Sequence, residues 1–174
     1  MARNVEIKAL VSSIEALLPK VRALADHGPE LIAQDDTFFA CAVGRLKLRV
    51  FTDGDGELIA YERPDVVGPK TSDYRITPVA DPDGLRATLA RSLGVTGRVV
   101  KQRTLFRIGR TRVHLDCVEG LGDFLEIEVL LREGERAEHG EAEARALLAN
   151  LQVEATQLIS GAYVDLLRGL DAPT

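Results

Sequence analysis

The sequence predicts an α+β fold in which a body of antiparallel strands packs its apolar faces against helices. Two kinds of periodicity predict it. Several segments alternate charged and aliphatic residues with period two, as in Asn4-Val5-Glu6-Ile7-Lys8 and Phe124-Leu125-Glu126-Ile127-Glu128, which gives each strand one charged and one aliphatic face. Other segments repeat apolar residues at helical spacing, which gives helices with a single apolar side. Composition agrees: with 174 residues, 45% hydrophobic and 28% charged, the chain can bury a core without disulfide or structural metal. A single domain over residues 1–174 is expected, since no repeat, low-complexity tract or long linker divides the chain.

In order, Asn4 to Lys8 reads as a strand. Ser12 to Asp26 reads as a helix with Ile14, Leu17, Leu18, Val21 and Leu24 on one side, a Ser12-to-Glu15 capping box, and Pro19 as a kink or a later start. Strand patterns follow at Leu31 to Val43, Arg45 to Thr52 and Glu57 to Arg63, with Gly44 and Asp53-Gly54-Asp55-Gly56 as hairpin turns. Asp81-Pro82 opens a helix bearing Leu85, Leu89 and Leu93, and Gly94 ends it. Three more strands, Arg98 to Ile108, Arg110 to Val118 and Phe124 to Leu131, form a meander punctuated by Gly109 and Gly120-Leu121-Gly122. From Glu138 the chain is helical, with Leu147, Leu148 and Leu151 in one segment and Ile159, Tyr163, Leu166 and Leu167 in the next. That last apolar set serves as intramolecular core or as the contact of a homodimer, and the homodimer is the expectation.

Several function classes are disfavoured at this level. No apolar run reaches membrane length and the N-terminus has no signal-peptide pattern, so a cytoplasmic protein with no membrane partner is expected. A net charge of -5 argues against nonspecific nucleic-acid binding, and any basic surface must be local. Cys41 and Cys117 make no metal-ligand spacing with His27, His114 or His139 and are expected to be core thiols.

The charges concentrate on particular faces. Glu6 pairs with Lys8 on one face, Lys47 with Arg49, Lys101 with Arg103 and Arg107, Arg112 with His114 and Asp116, and Glu126 with Glu128, while Arg63 ends its strand. A half-buried sheet with one wet face explains any single strand. A closed sheet explains the set: helices cover the aliphatic faces, and the charged faces turn inward to line a polar lumen. Glu6, Asp116, Glu126 and Glu128 would then offer hard oxygen ligands to Mg2+ or Mn2+, and Lys8, Lys47, Arg49, Arg63, Lys101 and Arg103 would neutralise a multiply charged anion. Internal salt bridging among the same residues, with no ligand at all, is the competing use.

Val5-Glu6-Ile7-Lys8 resembles the second half of the ExExK signature of the CYTH superfamily. The resemblance continues through Gln34-Asp35-Asp36-Thr37-Phe38-Phe39, Arg45-Leu46-Lys47-Leu48-Arg49, Tyr61-Glu62-Arg63-Pro64-Asp65, Gly68-Pro69-Lys70, Lys101-Gln102-Arg103, His114-Leu115-Asp116 and Phe124-Leu125-Glu126-Ile127-Glu128. It implies an eight-stranded antiparallel triphosphate tunnel, with class IV adenylyl cyclases, thiamine triphosphatases and inorganic triphosphatases as the possible activities. On that resemblance Glu6, Asp116, Glu126 and Glu128 hold metal, and Lys8, Lys47, Arg49, Arg63, Lys70, Lys101 and Arg103 hold triphosphate. Glu6, Lys8, Asp116 and Glu126 are the catalytic set. The order of motifs is closest to the cyclase-like branch, which converts ATP to cyclic AMP and pyrophosphate. A triphosphate hydrolase and a nucleotide- or polyphosphate-binding module without turnover are the alternatives. Asn4 stands where the family usually has the first glutamate of ExExK. Arg107, Arg112 and His114 are left as supporting or exposed groups.

Overall fold

The computed structural model describes residues 2–171. Strands β1 (Ala2–Leu10), β2 (His27–Phe39), β3 (Arg45–Phe51), β4 (Gly56–Glu62), β5 (Lys70–Val79), β6 (Val95–Ile108), β7 (Thr111–Val118) and β8 (Gly122–Leu130) pair antiparallel in the order β5-β4-β3-β2-β6-β7-β8-β1. The pairing of β1 with β5 closes this sheet into an eight-stranded barrel. A two-residue strand β9 (Leu158–Ile159) adds onto Lys8 and Ala9 of β1. Helices α1 (Ile14–Leu24), α2 (Pro82–Leu93), α3 (Ala137–Asn150) and α4 (Tyr163–Asp171), with a single 3-10 turn at Ala155–Gln157, complete the described elements. None of these helices is long and apolar enough to cross a membrane.

The aliphatic strand faces point outward, as the alternation requires. Val5 and Ile7 of β1, Val113 and Leu115 of β7 and Leu125, Ile127 and Val129 of β8 pack beneath Leu17 and Val21 of α1 and Leu147 and Leu148 of α3. All seven strand residues are at most 1% exposed, so the principal core lies outside the barrel, between its wall and two helices. α3 comes close because Gly140 faces β1: a Cβ there would stand 2.9 Å from Val5 Cγ2. A second cluster closes one end of the barrel, where Tyr163 and Val164 at the start of α4 meet Phe38, Val99, Val118 and Phe124.

Three expectations are corrected, and one strand is added to those the sequence shows. The first helix is capped by Ser13, one residue later than the predicted Ser12; the Ser13 hydroxyl accepts from the Ala16 amide and Pro19 sits inside an unbroken helix. Residues 70–79, which show no readable alternation, form β5. Ile159 lies in a strand, while Tyr163 and Leu167 pack onto the barrel end within the chain. Cys41 and Cys117 are exposed thiols, because both fall at strand margins beyond the packed interior.

Candidate active site

Register decides which charges meet. β1 is flanked by β8, with Glu6 opposite Glu128 and Lys8 opposite Glu126; β7 then sets Arg112 against Glu128 and His114 against Glu126. Cross-strand partners share a face at contact distance, so these six side chains form one continuous inner wall. On the other side, β2 and β3 set Asp36 opposite Arg49 and Phe38 opposite Lys47, and β6 contributes Lys101 and Arg103. The cavity between these walls has a volume of about 280 Å³. Seven cationic side chains and five carboxylates line it, an excess of positive charge inside an acidic protein. Such a lumen attracts a polyanion, and its low-dielectric walls strengthen the attraction.

The cations are held in place by carboxylates beneath them. Asp36 accepts from Lys47 at 2.8 Å and from Nε and Nη2 of Arg49 at 2.7 and 2.8 Å. Asp116, fully buried, accepts from Nε and Nη2 of Arg103 at 2.7 and 2.6 Å, from the Tyr163 hydroxyl at 3.0 Å and from Lys101 at 3.4 Å. In both arginines the Nη1 lies outside these bonds. Lys8 bonds Glu126 at 2.9 Å and lies 4.0 Å from the Tyr163 ring centroid. Arg63 pairs with Glu6, and Arg112 with Glu128 at 2.6 Å.

These surroundings separate the groups electrostatically. Burial, then repulsion from Glu126, raises the Glu6 carboxyl above its ordinary range despite Lys8 and Arg63. Burial works the same way on Glu126, yet Lys8, His114 and Arg103 together hold it well below the usual carboxylate range. Burial and then the neighbouring Arg103 push the Lys101 ammonium down to about 7. Burial and Arg103 also lower His114, which favours its neutral imidazole.

The structure brings Glu6, Lys8, Lys47, Arg49, Arg63, Lys101, Arg103, Glu126 and Glu128 to the cavity wall. Asp116 stands behind it, under Arg103 and Tyr163. Lys70 has an inward register position but donates to the carbonyls of Ser160 at 2.8 Å and Ile159 at 3.3 Å, tying down the chain before α4. Arg107 is exposed at the end of β6. The sequence puts Arg112 and His114 on an inward-turning charged face but outside the primary site, whereas the structure places both in the cavity wall. The sequence does not reveal the anchoring roles of Asp36 and Tyr163. Asp36 was visible in principle, since it shares a strand face with Gln34 and Phe38.

A metal would find donors on the acidic side. One ligand atom from each of His114, Glu126 and Glu128 lies within 4.8 Å of the others. Asn4 and Gln34 also line the cavity, and their buried amide oxygens have no hydrogen-bond partner. A donor set of carboxylates with an uncommitted amide oxygen fits a divalent cation.

The CYTH domain model matches residues 2–163. No curated protein sequence matches the chain. Among solved structures, a Pyrococcus horikoshii protein is similar at 24% identity and a TM-score of 0.84, over 94% of this chain and 98% of that one. A Vibrio parahaemolyticus protein named as a candidate adenylate cyclase is similar at 18% identity and a TM-score of 0.77, over 95% and 97%. A Hippeastrum protein, named as a candidate adenylyl cyclase with a dominant triphosphatase activity, is similar at 15% identity and a TM-score of 0.65, over 97% and 96%. At these identities the structures share the fold.

Proposed function

The chain belongs to the CYTH family, and we propose that it is a metal-dependent enzyme that binds a triphosphate in its tunnel and cyclises ATP to cyclic AMP and pyrophosphate. One observation carries the reading: a belt of anchored cations faces a cluster of carboxylates across one lumen, so polyanion and metal can be held together. Beyond that belt Ile32, Phe51, Ile76 and Leu105 line the same cavity, and Ile32, Phe51 and Glu57 continue into a groove outside it. Such apolar and aromatic lining suits the base and ribose of a nucleotide better than inorganic tripolyphosphate alone.

In this reading Arg49 and Arg103 are fixed by Asp36 and Asp116, so their free Nη1 groups meet phosphoryl oxygens without reorganising first. Lys47 and Lys101 add charge that offsets what builds on the leaving pyrophosphate. Glu6, with its raised affinity for protons, takes the proton of the attacking 3′-hydroxyl as the new bond to the α-phosphorus forms. Glu126 and Glu128 would hold Mg2+ or Mn2+, which when bound supplies Lewis-acid stabilisation of the phosphoryl oxygens. Asp116 acts on Arg103, Lys101 and Tyr163 as a positioning residue.

Product analysis after incubation with Mg2+ or Mn2+ and, separately, ATP, thiamine triphosphate and tripolyphosphate tests this. Cyclic AMP with pyrophosphate is the expected result. Orthophosphate instead would assign the tunnel to hydrolysis, and binding without product would make it a triphosphate-binding module.

Two further results are expected of binding. Lys47→Ala removes a charged donor 2.8 Å from Asp36 and should weaken tripolyphosphate binding by about tenfold or more by calorimetry. Lys101 is a cavity-lining cation whose charge changes near neutrality: protonated below about pH 7, it attracts the anion, and that attraction fades as pH rises through 7. Tripolyphosphate affinity should therefore fall between pH 6.5 and 9. Lys101→Arg, which stays charged throughout, should flatten the decline.

A further inference from the structure

We propose that His114 is a direct metal ligand, supplying an imidazole nitrogen beside Glu126 and Glu128, and that the site consequently favours Mn2+ over Mg2+. The inference rests on the metal-dependent reading above and deepens it. His114 Nδ1 lies 3.2 Å from Glu126 Oε2 and 3.9 Å from Glu128 Oε1, and the three residues present one ligand atom each within 4.8 Å of one another. The grouping follows from register. His114 is the cross-strand partner of Glu126, and Glu128 is the next inward-facing residue along β8. Of the three histidines, His114 is the buried one, at 3% exposure, whereas His27 and His139 are exposed.

A second observation points to a ligand in the same cavity. Asn4, 3% exposed, lines the same cavity, and its amide oxygen has no hydrogen-bond partner. It lies two residues from Glu6, the cross-strand partner of Glu128. Leaving such an oxygen unbonded in a buried position is costly, and amide oxygens are accepted ligands of hard cations. Two carboxylates and one imidazole thus share a cavity with an available amide oxygen. Carboxylate and amide oxygens suit both ions, so the difference rests on the nitrogen: Mg2+ keeps to oxygen ligands in near-ideal octahedral geometry, whereas a first-row transition ion such as Mn2+ can also take a nitrogen donor. The competing arrangement keeps His114 as a hydrogen-bond donor that orients Glu126 without touching the ion.

Pulsed electron paramagnetic resonance on the full chain loaded with Mn2+ alone separates these. Coupling of the ion to a ¹⁴N nucleus is expected in the native protein and should vanish in His114→Gln. Competition titrations should show Mn2+ bound at least about tenfold more tightly than Mg2+, with that ratio reduced about tenfold in the variant. Bound Mn2+ without nitrogen coupling would overturn the ligand role of His114 and leave the metal-dependent reading standing. No Mn2+ binding, with or without tripolyphosphate, would overturn both. The native-protein spectrum decides even where the variant folds poorly.

Discussion

Glu126→Gln is expected to lower turnover by about 10² to 10³-fold, the scale on which enzymes lose rate when a charge aimed at the reacting centre is removed. The carboxylate is 6% exposed and bonds Lys8 at 2.9 Å, Arg103 at 2.7 Å and His114 at 3.2 Å, so it joins the cationic belt to the candidate metal donors. Glutamine preserves volume and some hydrogen bonding but cannot neutralise two cations or serve as an anionic ligand. The measurement is kcat at saturating metal, with the melting temperature as the control for folding. Normal kcat in this variant and in Glu6→Gln would sink the assignment of these carboxylates.

Asp116→Ala should have the largest effect on stability, a loss of about 3–5 kcal/mol, as expected when one partner of a buried ion pair is removed. Arg103 would lose two hydrogen bonds, Tyr163 its hydroxyl partner and Lys101 its nearest carboxylate, all inside the barrel. Urea denaturation measures this directly, and a loss below 1 kcal/mol would contradict the anchoring role. The pH sign follows from the same contacts. Burial opposes ionisation of Asp116, but Arg103 and Lys101 hold its carboxyl far below the ordinary range. Its contribution is fully present above the ordinary aspartate pKa of about 4 and is lost only as strong acid protonates the folded state.

The fold was legible where strands have one apolar face. β1, β7 and β8 alternate aliphatic and charged residues because helices cover one side and a lumen the other, and the inward charges could be named from parity alone. β5 escaped for the complementary reason. Lys70, Ser72 and Tyr74 take inward register positions, while Thr71, Asp73 and Arg75 alternate with them on the outer face, so neither face is aliphatic. Period two then has nothing to show. The plug at the barrel end was hidden differently: Tyr163 reads as one more apolar position of an amphipathic helix, and only tertiary packing reveals its hydroxyl on Asp116.

The site was legible as a list of charges but not as pairs. Parity gives the face of a residue, whereas which cation meets which carboxylate depends on register between strands remote in sequence, as with Arg103 and Asp116. Hence Asp116, grouped in the sequence with Glu6, Glu126 and Glu128, stands behind the cavity wall. His114, set aside in the sequence, stands between two glutamates.

The most direct test of the central claim is calorimetric titration of the purified chain with tripolyphosphate in the presence of Mn2+. A tunnel built to hold a triphosphate with metal predicts saturable one-to-one binding that weakens in Lys47→Ala, with a rise in melting temperature that follows ligand concentration. Absence of both binding heat and thermal stabilisation would contradict it, and would mean that the charged interior is a sealed set of salt bridges serving the fold alone.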